Sequence, residues 1–164
     1  NAARIPFLEA HFRPAYFIYL VRDGYAVAEG IRRKAKPGLR SNPIYLEEYP
    51  IGLCAEQWRE TDRLVQQDGK GVAHFMQMSY EDFSAAPAAA AGRLTDFLEL
   101  PPLDPALFGE NWTVHGVDGP IRNMNESSLA RLSAEDIDKI HQVAGVQLEA
   151  HGYARPTPGP QSAT

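Results

Sequence analysis

Residues 16–30, YFIYLVRDGYAVAEG, constrain the fold more than any other stretch of the chain. Tyr16 to Val21 is a dense aromatic and aliphatic run without polar alternation, the pattern of a strand covered on both faces. Such strands sit in parallel sheets packed between helices, so the run predicts a central strand of an α/β fold. Asp23 can cap a following helix, which Tyr25, Ala26, Val27 and Ala28 carry toward Lys34. Ligands of open α/β sheets bind beyond the carboxyl ends of their strands. Arg22 at that seam is therefore either a ligand residue or a charge flanking a helix.

The remaining pattern is compatible with one α/β domain over residues 1–154. Ile5, Leu8 and Phe12 have helical spacing, with Pro6 tolerated in a first turn and Pro14 ending the element. Pro37, Gly38 and Pro43 break the helix that follows Asp23, and residues 37–50 read as an irregular excursion of the kind that forms lids or substrate surfaces. Leu53, Trp58, Thr61 and Leu64 or Val65 predict a helix over 51–67, stopped by Asp68-Gly69. A second strand is expected over 72–79, with one face less well covered, and a helix over 87–98. Residues 103–128 lack periodicity and read as a long loop with short helical turns. Ser133 and Asp136 form a capping box ahead of Ile137, Ile140, Ala144 and Leu148, which share one helical face. Gly152 closes this helix, and the Pro-rich residues 155–164 read as a disordered tail outside the fold.

The chain of 164 residues is long enough to bury a core, roughly 70% of its unfolded surface by the usual scaling. Its net charge of −5 argues against nucleic-acid or anionic-membrane partners, which need a positive field. Against this background Arg32, Arg33, Lys34, Lys36 and Arg40 form a local basic cluster. Cys54 is the sole cysteine, so no intrachain disulfide is possible, and it reads as a small buried residue. No apolar run approaches the roughly 20 residues that span a bilayer, and no signal peptide opens the chain, so a cytoplasmic location is expected. The first residue is Asn1, which leads to the expectation that the chain is a fragment. His11, His74, His115, His141 and His151 are scattered without metal-ligand spacing, and no metal is expected.

The order of strand, Arg-Asp-Gly turn and helix, then a later strand running into YEDFSAAP and an amphipathic helix ending FLEL, resembles the sulfotransferases that use 3′-phosphoadenosine 5′-phosphosulfate. The terminal LSAEDIDKI and HGY also resemble that family's closing helix, so the likeness covers most of residues 1–153. It implies a three-layer, P-loop-like α/β fold with a parallel sheet flanked by helices and an N-terminally incomplete domain. It also implies that Arg22 binds the donor's 3′-phosphate together with a serine eight residues on, where this chain has Gly30 and only a backbone N–H to offer. Chemistry agrees in part, since a guanidinium forks onto phosphate oxygens and a helix N-terminus favours an anion. By the same resemblance Tyr80 contacts the adenine, while Glu81 and Asp82 read as a helix-entry pair. The resemblance also implies a late loop that wraps the 3′-phosphate; HGVDGPIRN occupies a comparable place, with Arg122 as its only permanent cation.

Sulfuryl transfer to a hydroxyl or amine needs a cradle for the phosphosulfate and a base for the acceptor's proton. No GxxxxGKS/T-like or GTT-like loop occurs in residues 1–164, and the family's base lies upstream of the strand that ends at Arg22. Both are expected before Asn1, and no catalytic residue is named. Tyr45, Tyr49 and Trp58 are candidates to touch a small-molecule, carbohydrate or peptide acceptor. The alternatives are a non-catalytic relative that binds a nucleotide or protein, and a P-loop kinase relative.

Overall fold

The computed structural model describes residues 2–34, 48–114 and 117–158, so Tyr45, His115 and most of the 37–50 excursion lie outside the described residues. The described residues fall into two compact units, one within Arg4–Val21 and Asp68–Asn123, the other within Arg22–Gln67 and Met124–Thr164 together with Ala2 and Ala3.

The first unit holds the sheet. After a 3-10 turn at Ala2–Arg4, helix α1 spans Ile5–His11 with Pro6 in its opening turn, where a missing N–H costs nothing. Strand β1, Tyr16–Val21, pairs in parallel with β2, His74–Ser79, so that Tyr16 faces His74 and Val21 faces Ser79. Ile18 and Leu20 are 44% and 48% exposed, so the side of β1 that carries them is uncovered among the described residues. This corrects the expectation of a strand buried on both faces. The apolar run reports a strand of a parallel sheet, and cover over each face depends on neighbours that composition does not name.

Strand β2 runs directly into α4, Tyr80–Ala85, whose N-cap Ser79 accepts from the Asp82 N–H. Helix α5, Pro87–Phe97, follows, and Glu99 in the left-handed region ends it with Leu100 N–H bonded to the Thr95 carbonyl. The loop expected over 103–128 is more ordered than its sequence suggests. It contains a 3-10 turn at Pro105–Gly109 and an antiparallel hairpin of β3, Trp112–Val114, and β4, Val117–Gly119.

The second unit is helical. Helix α2, Gly24–Lys34, packs with α6, Asn125–Leu129, and α7, Ala134–Ala150, and α3, Ile51–Gly69, meets α7 where Arg59 reaches the Val143 carbonyl. Helix α3 runs two residues past the predicted stop, through Asp68 and Gly69, because a glycine stops a helix where it turns left-handed and Gly69 does not. Its core is Tyr25, Cys54, Trp58, Ile137, Ile140 and Leu148, all at most 6% exposed. The capping box of α7 is present in both directions, Ser133 to Asp136 and Asp136 to Ser133. Gly152, at φ +79, closes the helix, with its N–H on the Glu149 carbonyl and the Tyr153 N–H on that of Leu148. No helix among the described residues is long and apolar enough to cross a membrane.

Candidate anion-binding site

Arg22 is the first residue after β1, and two contacts fix it. The Trp58 indole N–H donates to its carbonyl at 3.0 Å, and its own Nε donates to Asn125 Oδ1 at 2.7 Å. Asn125 is buried at the start of α6, so the guanidinium is set at its root by a group shielded from water.

Asp23, 8% exposed, accepts the Tyr25 N–H at 2.8 Å, so its carboxylate satisfies one of the donors that open α2. Gly30 lies inside α2, where the helix ladder uses its N–H, which corrects the reading of that amide as a phosphate donor. What Gly30 provides is room, since a Cβ built there meets nothing within 4 Å.

That room belongs to a cavity of about 770 Å3 at the second half of α2. Its polar wall carries Arg22, Arg33, Lys34, Arg131, Ser127 and Ser128, and no carboxylate lines it among the described residues. Val27, Ile31, Tyr49, Leu53, Cys54 and Met124 form its apolar wall. Four cations around one cavity in a chain of net charge −5 make a local field opposite to the molecule's own.

Behind the wall sits Glu29, 3% exposed. Arg131 donates to it from Nε at 2.7 Å and from Nη2 at 3.1 Å, and Nη2 also reaches Ser128 Oγ at 3.3 Å. Arg33 Nε lies 3.3 Å from the same carboxylate. Burial pushes the Glu29 carboxyl upward, yet the Arg131 hydrogen bonds and charge, with help from Ser128 and Arg33, hold it below its ordinary value. It is thus an anion at neutral pH, and it orients two cations without occupying the cavity.

The basic cluster seen in the sequence divides by partner. Arg32 is spent on Asp136, through Nη1 at 2.7 Å and Nη2 at 2.9 Å, tying α2 to the capping box of α7. Arg33 and Lys34 face the cavity, and Lys36 and Arg40 lie outside the described residues. Burial pushes the Cys54 thiol up to about 11, which keeps it protonated and unreactive at neutral pH. Trp58, a candidate for acceptor contact by sequence, is a core residue at 6% exposure, whereas Tyr49 does line the cavity.

The structure therefore brings Arg22 and Gly30 to one cavity and adds Arg131, which sequence reasoning missed. Tyr80 and Arg122 belong to the other unit, where the Tyr80 hydroxyl donates to the Arg122 carbonyl at 3.0 Å. The described histidines have structural partners. His11 bonds the Phe7 carbonyl, His74 stacks on Tyr16, His141 meets the Tyr25 hydroxyl and His151 pairs with Asp62 at 2.8 Å. No group of metal-ligating side chains is found among the described residues.

A parallel pair of strands whose first member leads into an arginine and a helix is the pattern of an α/β fold. The model of the Sulfotransferase family matches residues 1–105, and the chain belongs to that family. Among solved structures, the chain resembles the sulfotransferase domain of the Synechococcus PCC 7002 olefin synthase, with 24% identity and a TM-score of 0.60. That alignment covers 95% of this chain and 56% of the other. The sulfotransferase domain from the curacin biosynthetic pathway is similar at 22% identity and a TM-score of 0.55, covering 96% of this chain and 54% of its own. These likenesses support the α/β sulfotransferase fold, and the chain spans little more than half the length of either neighbour. No curated protein matches the sequence.

Proposed function

We propose that the chain takes part in sulfuryl transfer from 3′-phosphoadenosine 5′-phosphosulfate to a hydroxyl or amine acceptor, and that it binds the donor's 3′-phosphate and adenine. The observation that carries this reading is the cavity along α2, where Arg22, Arg33, Lys34 and Arg131 surround open space beside Gly30 with no lining carboxylate among the described residues. A 3′-phosphate is a compact dianion, and charge-assisted bonds from guanidinium forks are the strongest means a protein has of holding one.

In the reaction the acceptor oxygen or nitrogen bonds to sulfur while the bond from sulfur to the bridging phosphate oxygen breaks. The acceptor's proton passes to a base, and adenosine 3′,5′-bisphosphate leaves. The residues here do the binding part of that work: the 3′-phosphate is gripped far from the reacting sulfur, so its binding energy positions the donor. Tyr80, whose hydroxyl is taken by the Arg122 carbonyl, offers its ring to the adenine in this proposal. Arg122 is proposed as a further cation for the donor phosphate, and Tyr49 as an acceptor contact. The domain is proposed to extend over residues 1–154 and to act in the cytoplasm without a metal.

Calorimetry with adenosine 3′,5′-bisphosphate and adenosine 5′-monophosphate tests the reading. The bisphosphate is expected to bind at least tenfold more tightly, and Arg22→Ala to erase that preference while leaving the far-UV circular dichroism unchanged. Equal affinity of the intact chain for the two nucleotides overturns the reading. The missing hydroxyl at position 30 motivates a second one, a relative that binds the nucleotide without turning it over; binding with no sulfuryl transfer to any tested alcohol or amine would select it.

A further inference from the structure

We infer that Arg131, aimed by the buried carboxylate of Glu29, is the second phosphate grip of the α2 cavity and stands in for the hydroxyl that Gly30 lacks. The inference rests on the reading of this cavity as a phosphate site, and adds to it residues that neither the sequence motifs nor the family resemblance points to.

Position and chemistry both support it. Glu29 immediately precedes Gly30, so an arginine bonded to Glu29 is held next to the space that Gly30 leaves open. Glu29 engages Nε and Nη2 of Arg131, and among the described residues Nη1 has no partner, so the pair leaves a donor for a ligand. A buried carboxylate flanked by Arg131 and Arg33 carries a net charge of +1 as a group, and Arg22 and Lys34 on the same cavity raise this to +3. A dianion is the ligand charge that such a wall accepts without leaving an excess of negative charge.

The fixed geometry matters as much as the charge. A free arginine would give up rotamer freedom to hold phosphate, whereas Glu29 has already ordered Arg131 through two bonds. Glu29 is therefore a positioning residue that does not itself touch the ligand. Ser128, bonded to Arg131 Nη2, braces the same side chain from α6.

The test uses calorimetry of the intact chain with three probes: adenosine 3′,5′-bisphosphate, adenosine 5′-monophosphate and inorganic phosphate. Arg131→Gln is expected to weaken the bisphosphate and inorganic phosphate at least tenfold and to leave the monophosphate within about twofold. Adding Gly30→Ser to Arg131→Gln is expected to restore a measurable part of the bisphosphate affinity, because a hydroxyl then returns to the open space. A residue that only supports the fold gives no such rescue. If Arg131→Gln is poorly folded because Glu29 is left buried and unpaired, the double variant Glu29→Gln with Arg131→Gln removes both charges and reads the same loss. Phosphate binding that depends on Arg131, without any preference for the bisphosphate, would keep the inference and discard the donor reading. Unchanged affinity for all three probes in Arg131→Gln overturns the inference, as does an intact chain that binds none of them.

Discussion

Gly24 shows how tightly Arg22 is tied to the core. A Cβ built there lies 2.8 Å from Leu148 Cδ2 and 2.8 Å from Trp58 Cδ2. Both neighbours are buried, so neither can swing into solvent to make space. The same indole donates to the Arg22 carbonyl, and pushing it aside disturbs the backbone from which Arg22 reaches the cavity. Gly24→Ala is expected to destabilise the chain by about 1–3 kcal/mol, the usual cost of overpacking, read from the urea midpoint. It should also weaken bisphosphate binding in conditions where the variant is fully folded, whereas an unchanged midpoint would show that the indole can relax. In the sequence, Asp23-Gly24 is visible as a helix start, and Asp23 fills that role. That Gly24 is also a close-packing site was not legible, because Trp58 and Leu148 reach it only through the fold.

At the scale of elements, α2 is anchored by two ion pairs to different partners, Arg32 to Asp136 of α7 and Glu29 to Arg131 beyond α6. Burial pushes the Asp136 carboxyl up, but the bonds from Arg32 and from the Ser133 backbone and side chain leave it below its ordinary value of 3.8. Glu29 is likewise held below 4.5. A carboxyl lowered on folding contributes stability that is fully present above its unfolded value and is lost as pH falls through the folded one. Stability is therefore expected to hold above about pH 5 and to decline steadily below about pH 4. Arg32→Gln should lower it at neutral pH by roughly 1–3 kcal/mol, the range for bonds to a charged group, and should flatten the acid decline. Urea unfolding across that pH range measures both, and an identical acid slope in the variant would remove Asp136 from the account. The capping box at Ser133 and Asp136 was legible because its signal is local. The entry of helix α4 was legible in part, since Glu81 and Asp82 read as a helix-entry pair, while the cap at Ser79 was not read. The β3–β4 hairpin was not legible, since three-residue strands carry too few positions for any period to register.

For the whole molecule the governing contrast is a net charge of −5 against a cavity lined by four cations. The basic run before residue 37 was evident in the sequence, but its division was not. Arg32 turned to an ion pair and Arg33 to the cavity, and Arg131 joined Glu29 from 102 residues away. These two charge scales respond differently to salt. The Debye length is about 30 Å at 0.01 M and about 10 Å at 0.1 M, so added salt first screens repulsion between the acidic molecule and an anionic nucleotide. Contacts at 3–4 Å inside a partly desolvated cavity, worth about 4 kcal/mol each at an effective dielectric of 20, are screened much less over that range. Bisphosphate affinity should therefore change little from about 0.01 to 0.1 M salt and fall only above it. Adenosine 5′-monophosphate, which lacks the 3′-phosphate, should fall less at the high end. Calorimetric titrations across that range and above it decide the matter. A steep decline beginning at the lowest salt would mean that the nucleotide is drawn by an open surface field, and that the cavity beside Gly30 is not where its phosphate rests.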